Sequence, residues 1–195
     1  FLRAGRNNLD WVLTQQLDNG WFLNAAFDDK SDPFVHTIAY VLEGLLEGGM
    51  WFRHLKQGEA DQRASENYVD SVTKAADVLI ALQQKNGSLF GIYDRNWRRK
   101  CRWSCLVGNA QMSVVWLRLY YLTGQTRYFD AAKKMNRYLK TTQNIKSRDS
   151  GIDGGVKGSQ PIYGCYIPFS YISWGAKFLI DALLLEQQLV AGEGS

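Results

Sequence analysis

Three stretches of this chain are apolar around almost the whole circumference of a helical wheel. HTIAYVLEGLLEGG (36–49), QMSVVWLRLYYLTG (111–124) and SWGAKFLIDALLLE (173–186) align without gaps over fourteen residues. Helices of that kind are buried on most sides. The segments before them are amphipathic instead. TRYFDAAKKMNRYLKTTQ (126–143) gathers Tyr128, Ala131, Ala132, Met135, Tyr138 and Leu139 on one stripe and turns Lys133, Lys134, Arg137 and Lys140 largely away from it. The chain thus alternates a half-wet outer helix with a dry inner one. Asp32-Pro33 is the expected start of the first inner helix, with the acid as cap and proline in the first turn. Gly48-Gly49 and Gly124 are the expected stops of the first two. No convincing series of β-hairpins interrupts the pattern, which predicts an all-α fold of three helical hairpins.

A second periodicity marks the ends of the outer helices. LDWVLTQQLDNGWF (9–22) places Gln16 four residues before Gly20, and LQQKNGSLFGIYDRNW (82–97) places Gln83 four residues before Gly87. A looser third copy runs from Gln143 to Gly151, Gly154 and Gly155.

A helix that ends on Gln and turns through Gly to an aromatic, recurring every ~60–70 residues, resembles the α/α-toroid superfamily. That group includes terpenoid cyclases, protein prenyltransferases and lanthionine cyclases, and more distantly six-hairpin glycosidases and sugar epimerases. Gln16-Leu17-Asp18-Asn19-Gly20-Trp21 is similar to the Gln-to-Trp repeat of the triterpene cyclases, and Gln83–Leu89 is a weaker copy. The resemblance implies that each Gln caps the next helix, that Trp stacks on it, and that the motif clamps hairpins together. It also implies a ring of roughly six hairpins, so three make half a ring. The expectation is one partial toroid domain over 1–195, the C-terminal part of a longer protein or a half-ring completed by a second copy. The segments 106–134 and 172–186 look closer to uncharacterised toroid proteins than to a particular enzyme.

In such a toroid the loops entering the inner helices form the mouth of a funnel; here they are 20–35, 87–110 and 151–172. They are long for simple connections, and long ordered loops on a rigid scaffold are where binding residues gather. The second carries Arg95, Arg98, Arg99, Lys100 and Arg102 within eight residues, in a chain of net charge only +4. Aromatics reach 13%, with seven Trp. Trp97 and Trp103 are candidate stacking platforms for a sugar, with Arg98 and Arg99 as partners for its anionic groups. The alternative is a solvated basic loop with its Trp residues tucked into the core. Asn109, Gln111, Tyr163, Tyr166 and Trp174 complete the expected substrate-binding set. The glycines of the third loop fit no nucleotide fingerprint.

His36, Gln111 and Ser173 fall at one aligned position, predicting a polar ring at the funnel mouth. His36 is a candidate proton carrier, or else a histidine satisfied by a neighbouring loop. Asp28, Asp29 and Asp32 cluster in the first loop, Asp94 lies in the second and Asp153 in the third. Asp94, between Tyr93 and Trp97, is the first choice as a catalytic acid, on the expectation that nearby rings raise its pKa. Cys101-x3-Cys105 is no usual zinc spacing, so no metal or other cofactor is expected, although His36, Cys105 and Cys165 remain an open combination. Trp103-Ser104-Cys105 faintly resembles the Trp-Cys-Gly of the lanthionine cyclases, and the acidic motif of the squalene cyclases is absent.

No apolar run is long enough to span a membrane, the charge is too small to argue for nucleic acid, and three cysteines fit a reduced, cytoplasmic protein better than a disulfide framework. The leading expectation is a domain that binds or processes an anionic saccharide; as an enzyme it would be a hydrolase, lyase or epimerase. An isoprenoid cyclase or prenyltransferase-like enzyme and a non-catalytic helical assembly domain are the alternatives.

Overall fold

The computed structural model describes residues 2–28, 30–55 and 58–192. Among them are six helices: α1 (Leu2–Thr14), α2 (Val35–Leu55), α3 (Glu59–Ala81), α4 (Leu106–Thr123), α5 (Thr126–Thr142) and α6 (Ser173–Ala191). The fold is all-α, as the pattern predicts. α4 packs between α2 and α6, and each of α2 and α4 is backed by the outer helix that follows it, α3 and α5. The inner helices therefore stand side by side.

They are not equally dry. Every residue of α4 from Leu106 to Leu117 is buried, whereas α2 exposes Tyr40 and Trp51, and α6 exposes Ile180 and Leu184. α4 is flanked by inner helices on both sides, whereas α2 and α6 are each flanked by an inner helix on one side among the described residues. The predicted stripe on α5 is correct. Its Tyr128, Ala131, Ala132, Met135 and Leu139 are buried and Tyr138 is half-buried, and Tyr68, Ser71, Val72, Ala75 and Leu79 of α3 repeat the buried five sixty positions earlier.

Three boundaries differ from expectation. α2 starts at Val35, after Pro33 rather than with it, because Phe34 bridges Ile92 of the second loop and Val35 N–H is bonded to Gly91 O. α2 also continues through Gly48 and Gly49 to Leu55. A Cβ on Gly48 would displace the end of the Leu9 side chain, and one on Gly49 would crowd Ser65 and Val69, so both lie at close helix contacts. The second loop ends at Cys105, which moves Asn109 and Gln111 into the first turns of α4. Gly124 closes α4 as expected, in the left-handed region at φ 68°.

The Gln-Gly repeats lock one hairpin to the next. Gln16 Nε2 donates to Gly20 O at 3.2 Å and to Ser71 O, in the middle of α3, at 2.8 Å. Gln83 Nε2 donates to Gly87 O and to Ala131 O, in the middle of α5, both at 2.9 Å. The amide thus bridges its own turn and the flank of the next outer helix; it does not cap a helix end. The turns match as well, for Asn19 and Asn86 each accept the backbone N–H two residues on. Gly20 (φ 83°) and Gly87 (φ 98°) adopt a conformation disfavoured for L side chains, pressed against the main chain at Lys74 and Lys134. A second tie accompanies each lock. Tyr68 donates to Asp10 at 2.6 Å, and Tyr128 donates to Asp77 at 2.8 Å. Trp21 packs edge-on against Trp97, with ring centroids 4.9 Å apart.

The three entry loops are joined into one rim. Val35 N–H, at the end of the first loop, is bonded to Gly91 O of the second at 2.9 Å, and Leu106 N–H to Gly158 O of the third at 3.2 Å. Two short antiparallel strands, β1 (Ser104–Cys105) and β2 (Ser159–Gln160), pair the second loop with the third.

Removing the Gln83 amide takes the second donor from the Ala131 carbonyl and the side-chain donor from the buried Gly87 carbonyl. Gln83→Ala is expected to cost about 1–3 kcal/mol in urea denaturation. Gly87→Ala should cost more, since the added methyl meets the Lys134 carbonyl and the positive φ is strained as well.

Candidate functional site

The first turns of α2 and α4 are in close backbone contact. A Cβ on Gly108 would collide with the backbone of Val35 and His36, so only glycine permits this approach. The contact brings His36 beside Gln111, one helical turn further along α4. His36 is buried, and its Nδ1 lies 2.5 Å from Gln111 Oε1. Gln111 Nε2 in turn lies 3.4 Å from Glu43 Oε2.

That chain fixes the imidazole tautomer. A carboxylate accepts only, so the Gln111 amide must aim its N–H groups at Glu43 and its oxygen at His36. The histidine then carries its proton on Nδ1 and a lone pair on Nε2. Burial lowers the His36 pKa below its ordinary 6.5 and outweighs the opposing Gln111 hydrogen bond. The ring is therefore held neutral near pH 7, with one nitrogen available as a base. The ladder continues down the groove: Arg118 lies 3.8 Å from Glu43 and pairs with Glu47.

Aromatic side chains surround the histidine. Tyr40 is 4.6 Å and Tyr166 5.1 Å from it, ring centre to ring centre. Phe34 stacks edge-on with Tyr166 and touches Trp103. A cavity of about 480 Å³ opens here, lined by His36, Phe27, Phe34, Tyr40, Tyr166 and Trp174, with Cys165 and Ile167 at its margin. Burial pushes the Tyr166 phenol up to about 12, and its oxygen accepts Trp174 Nε1–H at 3.2 Å. The phenol keeps its proton at neutral pH and can donate it. Ile167 and Phe169 have φ of 45° and 56°, a costly conformation for bulky residues. The third loop bears this strain immediately after Tyr166.

A larger concavity, about 1090 Å³, lies at the far end of α2 among Leu2, Leu9, Trp51, Phe52 and Tyr121. It is mainly an uncovered seam between α1 and the ends of α2 and α4. The smaller cavity is the better candidate because only it joins apolar walls to an oriented base.

The predicted residues divide into three groups. His36, Tyr166 and Trp174 line the cavity; Gln111 orients His36, and Trp103 stands behind Phe34, wedged between Gly91 and Gly164. Asn109 and Trp97 have structural partners instead. Asn109 is fully buried and bonded to Leu89 and Cys105 backbone atoms, and Trp97 is buried with its Nε1 donating to Asn19 O at 2.9 Å. Arg98 and Arg99 are exposed on the second loop, Arg99 lying over the Phe90 ring at 4.8 Å, and Tyr163 is exposed on the third. Ser173 is exposed and takes no part in the His36–Gln111 bond, so the polar ring has two members in contact.

Asp94 differs from expectation. Its Oδ1 accepts the backbone N–H groups of Asn96 and Arg98, both at 2.9 Å, and these bonds hold the carboxyl below its usual range. It organises the turn at 94–98. Asp28 does the same for Lys30 and Ser31, while Asp29 lies outside the described residues. Among the described residues no three His, Cys, Asp or Glu side chains converge to hold a metal, so His36, Cys105 and Cys165 form no such triad. Cys105 is fully buried, and burial raises its thiol to about 12. No helix among the described residues is long and apolar enough to cross a membrane.

Glu43 and Tyr40 were missed from sequence. Their signal is spacing: they stand seven and four residues after His36, on one face of α2.

Because its folded pKa is lowered, His36 stabilises the fold fully above pH 6.5 and loses that contribution as pH falls towards its folded pKa. His36→Gln should flatten this part of the stability profile, measured by chemical denaturation between pH 7 and pH 4. Nitrogen-detected NMR of the wild type should find the proton on Nδ1, and Gln111→Leu should abolish that preference.

No known protein family matches this sequence, and no curated protein matches it. Among solved structures, a polysaccharide lyase is similar in fold, with a TM-score of 0.57 and 19% identity over 91% of this chain. This chain spans 51% of that lyase's length. The all-α architecture is thus shared with a polysaccharide lyase.

Proposed function

We propose that this domain processes an acidic polysaccharide by removing the proton from the sugar carbon next to a uronic acid carboxylate. The observation that carries the reading is the Glu43–Gln111–His36 chain, which leaves a neutral imidazole with its lone pair on Nε2 at an aromatic-walled cavity. His36 accepts the proton. The electron pair left on carbon forms a double bond as the neighbouring glycosidic oxygen departs, and the protonated Tyr166 phenol supplies that oxygen's proton. The products are a free hydroxyl and an unsaturated uronic acid. Return of a proton to the opposite face, without bond cleavage, would instead give an epimer.

Tyr40, Tyr166 and Trp174 offer ring faces for a sugar. The cations at 95–102 belong to a loop bonded to both other rim loops, and their field favours a polyanion over a neutral glycan. The fold shared with a polysaccharide lyase supports the same class of substrate.

The test is incubation with polyuronates and with neutral glucans, following the ultraviolet absorbance of unsaturated uronic acid and proton exchange with heavy water. Activity on polyuronates alone is expected. His36→Ala should lower kcat about 100- to 10,000-fold, the usual range for a lost general base. Gln111→Leu should lower it less and shift the pH profile. Binding of a prenyl diphosphate with no response to any saccharide would overturn the reading.

A further inference from the structure

We infer that the edge formed by Gln143 and Gly154 is an unfilled copy of the hairpin lock, and that it docks on α1 of a second copy of this chain. In the two complete locks, Gln16 and Gln83 each donate to their turn glycine carbonyl and to a carbonyl of the next outer helix. Gln143 makes the first bond, Nε2 to Gly154 O at 2.8 Å. The next helix is what it lacks among the described residues. Gly20 and Gly87 are crowded by that helix, whereas a Cβ on Gly154 (φ 69°) would meet nothing within 4 Å. The third turn has the same donor and the same left-handed glycine, facing empty space.

The receiving side of such a lock is also present, and no glutamine amide of the described residues reaches it. The acceptor carbonyls belong to Ser71 and Ala131, each twelve residues before its own helix's glutamine, Gln83 or Gln143. Counted back from Gln16, the equivalent residue is Ala4. The main-chain carbonyls pressed on Gly20 and Gly87 belong to Lys74 and Lys134, nine residues before those glutamines, and the equivalent in α1 is Asn7. Ala4, Gly5 and Asn7 are exposed, and nothing lies within 4 Å of a Cβ on Gly5. Small residues stand at the acceptor position in all three outer helices, as close approach of an amide to a helix backbone requires.

The inner helices carry matching surfaces. Ile180 and Leu184 of α6 are 55% and 54% exposed, and Trp51 of α2 is 51% exposed. Setting α5 against α1 of a second copy brings α6 beside that copy's α2, the relation α2 already has to α4 within the chain. One contact covers both faces. The Tyr–Asp tie has no third copy, because Arg137 stands where Asp10 and Asp77 stand, so glutamine, glycine and apolar burial carry this junction. The contact is head-to-tail, and two copies related by a two-fold axis satisfy both ends at once and close.

Sedimentation of the 195-residue chain at micromolar concentration should give twice its 22.2 kDa mass. Gln143→Ala and Ala4→Trp should each weaken association about tenfold or more, as expected for loss of ~1.4 kcal/mol, with helical content by circular dichroism unchanged. An equimolar mixture of the two variants keeps one intact junction and should associate more tightly than either alone. A monomeric wild type overturns the inference. So does an Ala4→Trp variant that associates like the wild type, or a mixture no better than its parts.

Discussion

A glutamine amide held against the main chain of the next helix sets the geometry of this protein. Gln16 and Gln83 reach across a glycine turn and touch carbonyls inside α3 and α5. The acceptors already serve their own helices, but a carbonyl has a second lone pair, and the amide uses it. Each such bond sets the separation and stagger of successive outer helices, and the inner helices follow because every hairpin moves as a unit. The close approach of α4 to α2 at Gly108, and with it the meeting of Gln111 and His36, is downstream of that spacing.

The polar ladder between α2 and α4 shows what the spacing permits. His36, Gln111, Glu43, Arg118 and Glu47 alternate between two helices that are otherwise apolar along their shared seam. A buried imidazole without an oriented partner would be free to carry its proton on either nitrogen. Here the acceptor-only carboxylate at one end decides the state of the ring at the other, through an amide that has a single satisfactory orientation. The apolar wall of Phe34, Tyr40, Tyr166 and Phe178 keeps the ring uncharged, so orientation and neutrality come from different sets of neighbours.

The helices were legible because burial leaves a periodic trace. The stripe on α5 and the dryness of α4 follow directly from 3.6-residue spacing. The glutamine lock was legible too, though its acceptor was not, since backbone carbonyls leave no mark in sequence. Glycine was ambiguous: Gly124 ends a helix, while Gly48 and Gly49 admit a neighbour, and only the partner distinguishes the two. The site was half legible. His36 and Gln111 share an aligned position, but Asn109, at the start of α4, and Trp97, in the second loop, are taken up in holding that loop. At Asp94 the nearby rings in sequence suggest desolvation, whereas two backbone N–H groups hold the carboxylate charged.

The rim has a property of its own. Its three loops are stitched by main-chain hydrogen bonds through Val35, Gly91, Leu106 and Gly158 and by the two-residue strand pair. Stitching of that kind is indifferent to most side chains. Aromatic and charged residues around the mouth can be exchanged while the scaffold beneath keeps its shape, so diversification of what enters the cavity is decoupled from the survival of the fold.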